Sequence, residues 1–495
     1  MPLNLADLFF RKAGEQPARP LIHGQPLHGY DSARPITYGE FASHVKTLAG
    51  TLQNAGVRSG DNVGLLHRSG AEYIALVYAV WTCGACVTPV PVELTAPEKR
   101  QIFESIHVDW LIAARALFEG IRESTLEVTA DLTENAVLGR IAAPCKAPIG
   151  AAEVNAAFIR FTSGTTGSAK GVVLSHESVH RRIRAANETL AIGAADQVVW
   201  LLSMDYHFTV SVVAYLTYGA GIILPKNTFG ETVLAAASQY NATVIYGSPV
   251  HYSLMIQDET GTPLPRGLRL AIVTTSALRP EMADAFYERF GRVLNETYGI
   301  IELGLPAINT SQSRAKQGSV GRITPGYELR LEREPGEEEG EILLRGEGML
   351  DAYYLPWKPR EDVLREGKGW FRTGDAGRLD NDGYLYIVGR MKEMISVGGM
   401  KFFPEEVESV LERHPAVETA VVFGVEQRHW GEACVAQLVA RDGETVPDDS
   451  QLRAHCAVYL AGHKIPARFE WTRRLAYTAS GKKIRNRERA VLQHR

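Results

Sequence analysis

Phe161-Thr162-Ser163-Gly164-Thr165-Thr166-Gly167-Ser168-Ala169-Lys170-Gly171 is the stretch on which the reading turns. A strand is expected before it, Ala156 to Phe161, and another after it, Val172 to Leu174. A flexible Ser/Gly linker rarely sits between two buried strands and ends in lysine. Glycines let backbone amides approach phosphate oxygens closely, hydroxyls add donors, and Lys170 brings a positive charge to a polyphosphate. The loop is not a Walker P-loop, because Gly-x-x-x-x-Gly-Lys-Ser/Thr occurs nowhere in the chain. No full Gly-x-Gly-x-x-Gly follows a strand either, which argues against a nicotinamide enzyme.

Outward from the loop, strand and helix patterns alternate. Thr37-Tyr38-Gly39-Glu40 has capping-box spacing, Phe41, Val45, Leu48 and Leu52 share one helical face, and Gly56 closes the run. Strands are expected around Val63–Leu66, Val87–Val90 and Trp110–Ile112, with helices around Ala71–Val80 and Pro97–Ile106 between them. Short apolar runs recur at Val198–Leu202, Gly221–Leu224, Val244–Tyr246 and Leu270–Thr274. Such runs suit parallel strands covered by helices on both faces. From about Gly318 the texture becomes β-rich, with Glu334–Glu341 an exposed hairpin turn. From Met391 a small α+β domain follows, its first helix opening at Pro404-Glu405-Glu406-Val407.

The whole chain bounds the function. Its 495 residues allow several domains, and 53 basic against 57 acidic residues give a formal charge of -4. Nothing in that balance calls for nucleic acid or an anionic membrane as main partner. No stretch approaches the ~18 apolar residues of a membrane helix. The first residues do not resemble a signal peptide. Five cysteines are too few and scattered for a disulfide framework, and Cys83 and Cys86 read as buried small hydrophobes rather than a zinc or redox pair. A cytoplasmic, reducing location is expected.

The loop resembles the phosphate-binding signature of the adenylate-forming (ANL) superfamily: acyl- and aryl-CoA synthetases, the adenylation domains of peptide synthetases, and luciferases. Four motifs and a hinge follow in the family's order. Tyr298-Gly299-Ile300-Ile301-Glu302 resembles its aromatic-Gly-x-x-Glu, and Trp370-Phe371-Arg372-Thr373-Gly374-Asp375 its Thr-Gly-Asp. Gly389-Arg390-Met391-Lys392-Glu393 resembles the hinge, Gly398 to Glu408 the opening of the C-terminal domain, and Thr478-Ala479-Ser480-Gly481-Lys482 the terminal lysine motif.

The resemblance implies an N-terminal AMP-binding domain over residues 1–390, built from two doubly wound sheets and a small distorted β-barrel. It also implies a mobile α+β C-terminal domain over 391–495. The implied chemistry is attack of a carboxylate on the α-phosphate of ATP, release of pyrophosphate, and transfer of the acyl group from acyl-AMP to a pantetheine thiol. Two anions must meet, so the site must cancel negative charge. Lys482 would grip the carboxylate and the α-phosphate, and Glu302 would hold Mg²⁺. Thr162, Ser163, Gly164, Thr165, Thr166, Gly167 and Lys170 would cradle phosphate. Tyr298 would stack on adenine, Asp375 would accept from the ribose hydroxyls, and Arg390 would contact ribose or phosphate. Lys392 would be the pivot, and Gly398 and Gly399 would border the pantetheine tunnel.

The implied acid pocket draws on Met204–Val212, Tyr246–Tyr252, Thr274–Leu278 and Tyr298–Leu305. These read mainly apolar or aromatic, so a fatty or aryl acid is expected. Ser203-Met204-Asp205-Tyr206-His207-Phe208 departs from the family's Pro-x-x-His. Either His207 gates the pocket, or Asp205 points inward and pairs with the amino group of an amino acid. Thr274-Thr275-Ser276-Ala277-Leu278 replaces a turn that is often glycine-rich. The acceptor is expected to be CoA, with a separate carrier protein's phosphopantetheine as the alternative.

Overall fold

The structure is a computed structural model that describes residues 2–27, 34–118, 126–162, 170–397, 400–427, 431–477, 483 and 485. Two compact units emerge. The first comprises Met1–Glu328 and Arg345–Phe371, the second Leu329–Leu344 and Arg372–Arg495.

The first unit contains two nine-stranded sheets. One runs Arg322–Ile323, Gly304–Ile308, Asn295–Ile300, Leu270–Val273, Val244–Gly247, Gln197–Trp200, Gly221–Ile223, Pro20–His23, Ile36–Thr37. Its centre is parallel, and antiparallel strands flank it at both ends. The other runs Lys358–Pro359, Ala352–Tyr353, Lys170–Ser175, Ala156–Thr162, Cys86–Pro89, Asn62–Leu66, Trp110–Ala114, Ala136–Ile141, Leu126–Asp131. The alternation expected from sequence is present. Thr37 caps the helix Tyr38–Ala55 with a complete capping box, and Gly56 ends it in the left-handed region. The helix Ala71–Thr82 is buried almost all round, as its lack of a polar face requires.

Its aromatic side chains start a chain of ring contacts. Tyr78 meets Trp81 at 5.1 Å, Trp81 meets Phe208 at 5.9 Å, and Phe208 stacks on Phe158 at 6.5 Å. Each such ring removes a large apolar area from water, stabilising by roughly 1.5–3 kcal/mol. Phe208 is thereby fixed, and with it the neighbouring His207.

The β-rich part is a four-stranded sheet, ordered Tyr327–Glu332, Gly340–Gly346, Phe371–Leu379, Leu385–Arg390. Its first hairpin turns through the acidic stretch, where Glu337 N–H donates to Glu334 O. Glu341 is an exception to that stretch's exposure. It is buried and pairs with Arg372. The remaining sheet orders Met400–Phe402, Ile395–Val397, Gly431–Ala440, Val417–Gln427, with Arg468–Thr472 parallel to Gly431–Ala440. The helix Pro404–Leu411 covers it, burying Val407 and Leu411 against Val417 and Val422.

Among the described residues no helix is long and apolar enough to cross a membrane. Cys83, Cys86, Cys145, Cys434 and Cys456 are free thiols, with Cys83 and Cys86 buried as expected.

Candidate active site

The strands on either side of the quoted loop form one antiparallel pair. Phe161 faces Gly171 and Thr162 faces Lys170. Gly171 is dictated by packing, since a Cβ there would lie 2.8 Å from Tyr354 Cβ. Ser163, Gly164, Thr165, Thr166 and Gly167, and the side chains of Thr162 and Lys170, lie outside the described residues. So do Gly398, Gly399 and Lys482.

Glu302 sits in the turn between strands Asn295–Ile300 and Gly304–Ile308, where Leu303 N–H donates to Ile300 O. Gly304 has φ +88, and a Cβ there would lie 3.2 Å from the Arg182 side chain, so this turn favours glycine on two counts. Arg182, only 1% exposed, donates through Nη1 to Ile301 O at 3.0 Å and through Nε and Nη2 to Gly348 O at 3.0 and 2.7 Å. Leu350 N–H donates to Glu302 O at 2.7 Å. The Tyr353 hydroxyl donates to Glu302 Oε1 at 3.0 Å. Burial and the Glu302 charge push that hydroxyl's pKa far up and keep it a donor. Tyr298 is 8% exposed on the strand leading into this turn.

Sequence reading missed Arg182 and Tyr353. A signal existed for the first. Val179, Arg182, Ile183, Ala186 and Leu190 occupy one face of the helix His176–Leu190, so the arginine shares the stripe that is buried.

Among the described residues no group of three or more His, Cys, Asp or Glu side chains could hold a metal ion. A dedicated cage is therefore absent there. A single carboxylate at Glu302 fits Mg²⁺, which is bound by one or two carboxylates together with substrate phosphates.

The helix Met204–His207 carries the segment that departs from the family pattern. Asp205 is 2% exposed. It accepts from Tyr73 Oη and Ser203 Oγ, both at 3.2 Å. Burial, then the charge of Glu93, raises its pKa to about 7. His207 is held neutral, its pKa pushed down to about 3 by burial and by Arg160. Its ring lies 6.4 Å from that of Trp200, which stacks on Tyr246 at 5.1 Å.

Not every residue of the expected lining faces the same space. Tyr252 ties two strands by donating to Ile245 O and Ile272 O, and Val250 is 65% exposed. Thr275 has φ +84, a conformation that favours glycine and strains a β-branched residue.

In the second unit Asp375 faces Arg390 across the hairpin, and their side chains pair at 3.2 Å. Asp375 is 5% exposed, and its N–H donates to Thr373 Oγ1. Burial, then Arg390, lowers the pKa of Lys392. Lys483 Nζ donates to Glu412 at 2.8 Å and to Ala420 O at 2.7 Å. Arg485 pairs with Glu393, with Glu405 at 2.7 Å and with Glu408 at 3.0 Å.

Residues 9–354 match the AMP-binding enzyme family, and 406–482 match its C-terminal domain. The chain belongs to the AMP-binding enzyme family. As a member of this adenylate-forming superfamily it is an AMP-forming acid–thiol ligase. It is 30% identical to sulfoacetate–CoA ligase of Cupriavidus necator, over 97% of this chain and 96% of that protein. It is 28% identical to feruloyl-CoA synthase of an Amycolatopsis species, over 92% of this chain and 93% of that one. Among solved structures, o-succinylbenzoate CoA synthetase of Bacillus subtilis with its acyl-adenylate intermediate superposes with a TM-score of 0.81. The identity there is 26%, with 97% of each chain covered.

Proposed function

We propose that this AMP-binding enzyme joins a carboxylic acid with an apolar or aromatic tail to the α-phosphate of ATP, releases pyrophosphate, and transfers the acyl group to CoA. The carrying observation is the Glu302 turn. A carboxylate is held at a fixed place by Arg182, Leu350 and Tyr353, next to Tyr298, in a chain whose relatives are named as CoA ligases.

In the first half-reaction a carboxylate oxygen of the acid attacks the α-phosphorus and the bond to pyrophosphate breaks. Lys482 spreads the charge of the meeting oxyanions. The main-chain amides of residues 163–167 and Lys170 hold the phosphates. Tyr298 supports adenine, while Asp375, oriented by Arg390, accepts from ribose. Mg²⁺ at Glu302 would neutralise the leaving pyrophosphate. In the second half-reaction the CoA sulfur attacks the acyl carbonyl, AMP leaves, and the thiol proton passes to solvent. Lys392 is the pivot between the two states, and Gly398 and Gly399 leave room for pantetheine. His207, neutral at working pH, packs beside Trp200 and gates the acyl side.

The amino-acid reading rests on Asp205, and burial of that carboxyl, tied to Tyr73 and Ser203, disfavours it. The named relatives act on acids as different as sulfoacetate and an aromatic acid, and both use CoA. The free cysteines suit a reducing, cytoplasmic location.

The test is acid-dependent pyrophosphate release across fatty, aryl, short polar and amino acids, with CoA then added. Release followed by thioester formation is the expected result. Release that persists without thioester on adding CoA, but yields it on a carrier protein, would overturn the choice of acceptor.

A further inference from the structure

Arg160 lies on the strand Ala156–Thr162 and faces Val172 across the antiparallel pair. Side chains two apart on a strand share a face, so it points to the same side as Phe158, toward Phe208 and the helix Met204–His207. Its guanidinium lies 4.6 Å from the centroid of the Tyr206 ring, and Nη1 donates to Tyr206 O at 3.0 Å. Its Nε is sealed from solvent and has no hydrogen-bond partner among the described residues.

A cation in that position needs an acceptor. An unpartnered buried donor is destabilising, and more so when it is charged. Asp205, Glu302 and the Tyr73 and Tyr206 hydroxyls act on Arg160 through space. Asp205 is engaged by Tyr73 and Ser203, and Glu302 by Tyr353. His207 is neutral and offers no charge. A second buried donor without a partner among the described residues, Trp200 Nε1, belongs to the ring beside His207. Two donors lacking acceptors thus flank one imidazole, in the segment where the proposed function seats the acid.

We infer that Arg160 selects acids that carry a second anionic group, a carboxylate or sulfonate on the tail, by taking that group on its free Nε edge. This rests on the reading that the chain adenylates a carboxylic acid, and it amends the apolar or aromatic tail proposed above to one that ends in an anion. The guanidinium fork matches such planar or trigonal oxyanions better than a lysine would. Arg160 then sets specificity through binding, without taking part in bond making.

The test uses pairs of acids that share the reacting carboxylate and differ at the far end, methyl against anion: propionate against sulfoacetate, and 4-methylbenzoate against terephthalate. Pyrophosphate release is measured for wild type, R160M and R160K. For wild type the anionic member of at least one pair should have the higher kcat/KM, by about tenfold or more. In R160M that ratio should fall by about 10- to 100-fold, carried by KM, the size of one charged hydrogen bond. R160K should restore part of it. A wild type that prefers the methyl member of both pairs overturns the proposal, and this outcome needs no variant to fold. A ratio unchanged in R160M, with both members slowed alike, also overturns it and assigns Arg160 to the reacting carboxylate. Absence of pyrophosphate release with every acid overturns the adenylation reading, and this inference with it.

Discussion

Arg485 pairs with Glu393 although 92 residues separate them. The pair ties the chain just beyond Lys482 to the residue after the proposed pivot, Lys392. Glu405 and Glu408 complete the grip on Arg485, while Lys483 is held by Glu408 and Glu412. Removing one partner of such a partly buried cluster costs about 3 kcal/mol or more. R485M should therefore lower unfolding stability in urea by that order and slow pyrophosphate release at least about tenfold. K482A should slow release about 100- to 1,000-fold, as loss of a charge-stabilising donor does, with far less effect on stability. Equal loss of stability in the two variants would refute the division of roles.

Glu302 and Tyr353 make a graded pair of tests. E302Q keeps the shape and the Tyr353 hydrogen bond but removes the charge. It should raise the Mg²⁺ concentration needed for half-maximal rate at least about tenfold, whereas Y353F, which loses one hydrogen bond to a charged group, should raise it only a few-fold. A magnesium titration of each variant decides it, and an unchanged requirement in E302Q removes Glu302 from the metal.

Asp205 gives a pH dependence of defined sign. Its pKa is raised from 3.8 to about 7. Between about pH 4 and 7 the folded protein keeps a proton that the unfolded chain has lost. Stability from this group is full below pH 4 and declines as pH rises toward 7, with a slope approaching about 1.4 kcal/mol per pH unit. D205N, which can still accept from Tyr73, should flatten that slope. Urea unfolding at a series of pH values reads it, and a parallel pH profile in D205N would contradict the raised pKa.

Thr275 tests local strain. At φ +84 a β-branched residue is held in a region that glycine occupies freely. T275G should raise stability by about 1 kcal/mol, the relief of strain exceeding the added freedom of the unfolded chain. A fall in melting temperature would mean that the side chain contributes more than its backbone costs.

Much of this was legible beforehand, and the reasons differ by residue. The capping box at Thr37 and the alternation from Val63 to Ile112 depend on local spacing, so they could be read directly. The Asp375–Arg390 pair could not be foreseen as a contact, because it depends on the register of a hairpin. Tyr353 is invisible in sequence for the same reason: 51 residues separate it from Glu302. Arg160 read only as one residue of an expected buried strand. Only the arrival of Tyr206 and Asp205 from another element gives its charge a meaning. The reach of Lys482 and the shape of the phosphate loop rest on the family resemblance alone.

The Glu302 turn has little slack. Hydrogen bonds hold the main chain at Ile301, at Glu302 itself and at Leu303, and Gly304 is packed against Arg182. Only side-chain torsions remain to adjust the carboxylate. An aspartate at position 302 would retract the charge by one methylene, and the backbone could not advance to meet the ion. The length of this side chain is therefore as strictly set as its charge.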